Sequence, residues 1–319
     1  MQRSKKIISV IVTTLIIMIL VSFCCIDSIP VFVDNTTTPT TTRNTYPETT
    51  ASTTSTTSSI QTSQESDNEP DIDPNHGSAV TLEGKIIIVS IFANDSSSNW
   101  KIKSSKDKNL MKDTIKNLKT ATKYLSKQAK RYNKKLSFVY DWAKNDDLVY
   151  YADFDINLVN LEDGWYRAQD SWIKNNVRTK ELLNKYGADG IIYMFFFNTD
   201  YSNKSRSCTT DHTNEDFVLY EFINIYLKYN GYKMRPPAYA HEILHAFGAP
   251  DLYYSNKWIP QKYVKELERT NSKDIMFSVY DSNKITNKFT DLDAYYVGIA
   301  PRPAVADKWS LGKSEHDTD

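Results

Sequence analysis

Cysteine is nearly absent from this chain. It occurs three times in 319 residues, as the adjacent pair Cys24 and Cys25 and as Cys208 alone. A single thiol cannot close an internal disulfide, so the stapled framework of small secreted domains is excluded, and whatever folds must be held by its core. A net charge is missing as well: 39 basic side chains balance 39 acidic ones. No overall field steers the chain toward nucleic acid or a membrane surface. Glycine occurs only nine times and histidine five, so a place where both cluster demands a reason. Tyrosine is abundant, at 21 residues, but identifies no ligand.

Long apolar runs are lacking too, with one exception near the N-terminus. Arg3, Lys5 and Lys6 precede an uncharged run from Ile7 to Phe23. The run is long for a signal-peptide core and close to the lower limit of a membrane span. Residues 1–33 are therefore expected to form an uncleaved signal anchor with the basic end inside. A lipoprotein signal acylated at Cys24 or Cys25 is the alternative, which Phe23 disfavours because a small residue normally precedes the modified cysteine. Cleavage would make the product secreted. Residues 34–80 are rich in Thr and Ser, then in Asp, Glu and Pro. They cannot bury enough apolar surface to offset ordering and are expected to form a stalk, open to O-glycosylation. A propeptide is the rival reading, and little in the stretch has a foldable pattern.

From residue 81 to 319 the composition is that of one globular domain. Lys85–Asn94 is a continuous apolar run, expected as a buried strand. Leu110–Tyr132 has apolar residues at helical spacing, and Leu136–Trp142 reads as the next strand. Asp146–Gly164 is ambiguous. Gln169–Tyr186 is expected as one helix ending at Gly187. Gly190–Asn198 is expected as a central strand and Phe217–Leu227 as a further extended segment. Tyr201–Asp216 is irregular. Helices are expected at Pro260–Arg269 and from Thr290 to Val297, capped by Thr290 or Asp291. Asp307–Asp319 reads as a polar tail. The whole predicts an α/β domain with a twisted, mostly parallel sheet and flanking helices.

The stretch around which the rest is arranged is Ala238–Tyr253, AYAHEILHAFGAPDLY. On a helix, residues four apart lie about 40° apart, so His241 and His245 face one way and can grip one cation. Two imidazoles plus a third donor suit Zn2+, with a fourth position left open. Glu242, on the rim of that face, is placed to handle a proton. Asp251 joins the set only if the helix stops and the chain doubles back. Gly248 supplies the left-handed turn and Pro250 blocks continuation. The competing reading is an amphipathic helix with surface histidines, and Asp251 as a mere turn cap.

H-E-x-x-H-x-x-G-x-x-D resembles the extended zinc signature of the metzincin clan of metalloproteases. The version ending in aspartate is similar to the snapalysin group of secreted neutral proteases. The resemblance implies a zinc helix at a cleft and an irregular C-terminal lobe with a methionine turn. Asp274-Ile275-Met276-Phe277 resembles that turn. It also implies metal ligands His241, His245 and Asp251, with Glu242 as general base and then general acid. A substrate held beside an edge strand is implied as well. Tyr280, four residues after Met276, departs from the tyrosine spacing of some members and is weighed as a residue of the oxyanion or substrate site against an ordinary core aromatic. Cys208 has no propeptide context for an inhibitory metal ligand and is expected to be an ordinary loop thiol.

Rivals for the third ligand are His212, in a polar loop, and Glu266 and Glu268, which fall in a Lys-rich amphipathic stretch. His76 and His316 are expected in disordered segments. The expected protein is thus a monomeric, surface-anchored zinc endopeptidase outside the cell. It would act on protein or peptide substrates, engage no nucleic acid, and meet the membrane only through its N-terminus. The alternative is a binding module on a metalloprotease-like scaffold without turnover.

Overall fold

The computed structural model describes residues 81–158, 165–201, 208–209, 222–229, 231–279 and 282–317. The expected anchor and stalk, His76, His212 and Tyr280 lie outside these residues. Among the described residues no helix is long and apolar enough to cross a membrane.

The domain is mixed α/β, built on a curled, mostly parallel sheet. β1 (Gly84–Asn94) pairs in parallel with β2 (Leu136–Val139), with β3 (Val149–Asp153) and with β4 (Gly190–Tyr201). β2 and β3 follow one another along the same side of β1, one taking Gly84–Ile87 and the other Ser90–Asn94. β4 pairs in parallel with β6 (Phe222–Tyr229). Beyond β6 lie two short antiparallel strands, β5 (Cys208–Thr209) and β7 (Tyr232–Lys233).

β1 is buried on both faces, which is why it reads as an unbroken apolar run rather than an alternation. Ile86, Ile88 and Phe92 enter one core layer, and Ile87, Val89 and Ile91 the other. The first layer is closed by α1 (Ser105–Arg131) and α4 (Pro236–His245). The second is closed by α2 (Trp165–Asn176) and α3 (Thr179–Tyr186). Each fully buried Leu, Ile or Phe in these layers contributes about 1.5–3 kcal/mol relative to exposure. α1 begins where the Ser104 hydroxyl accepts from the Asp107 amide, and it buries Leu118, Ala121, Leu125 and Ala129 at helical spacing.

Several expectations change in detail. The single helix Gln169–Tyr186 is two. The break falls at Val177–Arg178, where Val177 is buried and the Thr179 hydroxyl is held 2.6 Å from the buried Tyr193 phenol. The strand expected to reach Trp142 stops at Val139. The ambiguous stretch supplies β3. The strand expected at Phe217–Leu227 runs from Phe222 to Tyr229, residues 217–221 lying outside the described ones. It is also no free edge, since Ile223 and Asn224 pair with β5. Cys208 belongs to β5 rather than to a loop. α5 (Gln261–Arg269) falls as expected, and α6 (Asp291–Tyr296) opens with a capping box between Thr290 and Asp293.

The largest departure is at the C-terminus, where the expected polar tail is structured. α7 (Ala304–Trp309) is followed by a strap, residues 310–317, that folds back on the domain. Arg302 donates to the carbonyls of Leu311 and Gly312, and Gly312 N–H donates to the Trp258 carbonyl at 2.7 Å. The Ser314 amide donates to the Tyr295 phenol at 2.8 Å.

Candidate metal centre

α4 starts at Pro236 and Pro237, whose missing amide hydrogens cost nothing in a first helical turn. Tyr239, Ala240, Ile243 and Leu244 pack into the core layer shared with α1. That orientation leaves His241 and His245 together on another side of the helix, their ring centroids 4.7 Å apart. Helical backbone ends at His245. Gly248 takes φ +91°, and the Gly248 and Ala249 amides donate back to the carbonyls of His245 and Leu244. The chain reverses there, and Asp251 returns to the histidines.

The result is a triangle of three atoms. Nε2 of His241 and Nε2 of His245 are 3.1 Å apart, and Asp251 Oδ1 lies 3.1 Å from the first and 3.2 Å from the second. The other ring nitrogens decide what these atoms are. Nδ1 of His241 is 2.9 Å from the Ile275 carbonyl oxygen, and Nδ1 of His245 is 2.6 Å from that of Ala249. A carbonyl only accepts, so both Nδ1 atoms carry the hydrogen, and in the neutral rings both Nε2 atoms present lone pairs. Three electron-rich atoms packed this closely repel unless a cation stands among them. Ligand bonds of about 2.0–2.1 Å at tetrahedral angles separate donor atoms by roughly 3.3 Å, and the observed edges are close to that. The donor set therefore fits a small divalent ion, with zinc well suited to two imidazoles and a carboxylate.

The titration of these groups points the same way. Burial lowers the proton affinity of both histidines, but Asp251 more than offsets it, and both are raised. Burial likewise raises Asp251, and the two imidazoles override it, holding the carboxyl far below the ordinary range. The cluster attracts positive charge, whether a proton or a metal.

A ring of supports fixes the triangle. The Tyr253 phenol donates to Asp251 Oδ2 at 2.9 Å, and its ring lies near-parallel to His241, 6.3 Å away. The turn Asp274–Ser278 lies alongside: Ile275 supplies the carbonyl to His241, and the Met276 carbonyl accepts the Leu252 amide at 2.9 Å. Met276 itself is buried in the core layer behind. The turn closes on Asp274, whose Oδ1 accepts the Met276 amide at 2.8 Å.

Glu242 is buried, with Oε1 3.9 Å from His241 Nε2. It stands next to the triangle without completing it, and Asp251 is the closer third donor. His241, His245 and Glu242 lie close enough together that one ion could be shared among them, but the ligand set expected from the sequence is His241, His245 and Asp251, with Glu242 beside it. Of the rivals for the third place, Glu266 is paired with Arg269 at 2.7 Å and Glu268 is exposed on α5. His316 is not in a disordered segment but bonds to the turn after α4, with Nε2 2.9 Å from the Phe247 carbonyl oxygen.

Sequence reasoning missed Tyr253, the two backbone carbonyls and the strap. Only Tyr253 leaves a trace in the sequence, as an aromatic two residues beyond the aspartate of a reversing turn. No family model matches the chain, and no curated protein and no solved structure matches it.

Proposed function

We propose that this chain is a zinc-dependent endopeptidase of metzincin-like design, acting outside the cell and tethered through its N-terminal segment. The observation that supports the reading most is the triangle of His241 Nε2, His245 Nε2 and Asp251 Oδ1, with both opposite ring nitrogens committed to carbonyls. The eleven-residue signature and the Asp274–Phe277 turn beside it support the metzincin-like plan.

His241, His245 and Asp251 would hold the ion. A divalent cation there supplies Lewis-acid activation of water near neutral pH. Glu242 takes the proton that the attacking water gives up and returns it to the departing amine, so one carboxyl serves as base and then as acid. Its burial beside the triangle keeps that proton out of bulk solvent. Tyr253 and the Ile275 and Ala249 carbonyls keep the donors from rotating, so little reorganisation accompanies reaction.

The test is cleavage of an unfolded protein by the purified chain, with Glu242→Gln as the control. The variant is expected to bind zinc as the native chain does and to lose about 10²–10⁴-fold in rate. Undiminished cleavage by Glu242→Gln, or a native chain that takes up no zinc, overturns the reading.

A further inference from the structure

α1 carries a feature that the metal centre does not use. Lys112, Lys116, Lys119, Lys123, Lys127 and Lys130 are all exposed. Their spacing of 4, 3, 4, 4 and 3 residues places them within an arc of about 80° and along about 27 Å of helix. The stripe lies opposite the buried face of Leu118, Ala121, Leu125 and Ala129. Lys108 extends it by another turn. The helix has two acidic residues, and neither offsets the stripe: Asp107 is buried at the N-terminus, and Asp113 is paired with Lys233 at 2.7 Å. Among the described residues none of the six lysines has an ion pair. Lys288, on the segment that meets α1 through the Tyr124 phenol and the Asn287 carbonyl, is exposed and adds to the field.

Like charges three and four residues apart repel, and exposed helices ordinarily intersperse Glu among Lys for that reason. Here a chain of zero net charge gathers one sign on one face. Its counterpart is in the sequence. Glu65, Asp67, Glu69, Asp71 and Asp73 are acidic at every second position, in a stretch with no basic residue. Positions two apart on an extended chain project to one side about 6.6 Å apart, and nine such residues span about 27 Å. The exposed lysines of α1 recur every 4.5–6 Å along the helix over the same length.

The point of entry fits as well. Glu83 is bound to Lys134 at 3.0 Å, and the Gly84 amide donates to the Lys135 carbonyl, so the domain begins beside the C-terminal end of α1. Residues 74–80 can bridge up to about 28 Å between Asp73 and Thr81. That places the acidic stretch within reach of Lys130 and of the stripe beyond it.

We propose that the α1 lysine stripe is the docking surface for the chain's own acidic segment, residues 65–73, through paired carboxylates and ammonium groups. The occupant is committed by sign, by length and by the site of attachment. The contact ties the segment preceding the domain to the helix that packs on α4, where Asn117 donates to the Met234 carbonyl just before the metal-binding helix. It does not depend on the peptidase reading.

The test is zero-length carbodiimide coupling of the purified full chain in detergent, read by mass spectrometry, with isotopically heavy and light chains mixed in equal amounts. Amide links are expected between residues 65–73 and the lysines at 112–130, within chains of one isotope. They should disappear at about 0.5 M salt, where charge is screened within a few ångströms. They should also disappear when all six lysines from Lys112 to Lys130 are changed to Gln, in a variant whose thermal unfolding reports that the fold is intact. Links spread over lysines throughout the surface, or no links at all, overturn the proposal. Heavy–light links overturn it in favour of a second copy. Heparin bound by the native chain with the links unaffected would also overturn it, since the stripe would then be open to outside polyanions.

Discussion

His316 Nε2 lies 2.9 Å from the carbonyl oxygen of Phe247, joining the C-terminal strap to a residue two beyond the second imidazole of the candidate metal centre. Phe247 is fully buried, so its carbonyl has no water to turn to when this partner is lost. Replacing His316 by Ala is expected to cost about 1–3 kcal/mol, the penalty for a buried acceptor left unmet. Removing residues 314–319 should cost more, because the Ser314 links to Tyr295 and Tyr296 go with it. Both changes should weaken zinc binding along with stability, because the strap holds the turn that brings Asp251 round. Thermal melts and chelator competition on each variant check this. Stability lost with zinc affinity unchanged would make the strap a stabiliser of the domain alone.

The same turn leaves no room for a side chain at Gly248. Its φ is +91°, and an added Cβ would collide with the Glu315 carboxylate. Two penalties therefore meet in Gly248→Ala: backbone strain of about 1–2 kcal/mol, and a clash that the strap must move to relieve. A double-mutant cycle with Glu315→Ala separates them. The clash should vanish in the double variant while the strain persists. Full additivity in thermal melts would mean that the strap yields freely at this point.

Much of this site is legible in the sequence because it rests on local geometry. Helical period alone aligns His241 with His245, and Gly248 with Pro250 announces the reversal that returns Asp251. β1, β4 and α1 are equally local, each being a long apolar or periodic segment. The split between α2 and α3 is not, since it depends on Thr179 meeting Tyr193 in a distant strand. Nor is the strap: residues 310–317 look polar and unremarkable until Arg302, Trp258 and Tyr295 are known to surround them. Nor is the pairing of β6 with β5, whose two residues carry no strand signal of their own.

Tyr253 bears on how the third donor is aimed. Its phenol holds Asp251 Oδ2, leaving Oδ1 directed at the two imidazoles. Tyr253→Phe keeps the ring beside His241 and removes only the hydrogen bond. Zinc affinity is expected to fall by about 10–100-fold, as for other outer partners of metal ligands. Asp251→Ala removes a donor and should cost more, whereas Asp251→His replaces it with another nitrogen and should retain part of the affinity. Competition with a calibrated chelator ranks the three. If Tyr253→Phe lost as much affinity as Asp251→Ala, the phenol would be doing more than aiming a carboxylate.

Behind the Met276 turn, Asp274 and Asp293 are both buried and share one hydroxyl. Thr290 Oγ1 lies 2.9 Å from Asp274 Oδ2 and 3.2 Å from Asp293 Oδ2. The hydroxyl has one hydrogen and cannot donate to both carboxylates. Burial raises Asp274, and burial together with the charge of Asp274 raises Asp293 well above the ordinary 3.8. The folded protein thus keeps a proton that the unfolded chain releases near pH 4. More protons bound in the folded state means that stability falls as pH rises, from the unfolded value through the folded one. Each unit of upward shift corresponds to about 1.4 kcal/mol. Asp293→Asn supplies a permanent donor next to Asp274 and should remove this slope. Denaturant unfolding of the metal-free native chain and of Asp293→Asn, from pH 4 upward, compares the pair with its neutral variant, with His241, whose charge acts on Asp274, present in both. The native chain should lose stability relative to the variant as pH rises, and the gap should level off once the pair has ionised. Parallel curves would mean that the two carboxyls are already charged in the folded state and that another cation faces them.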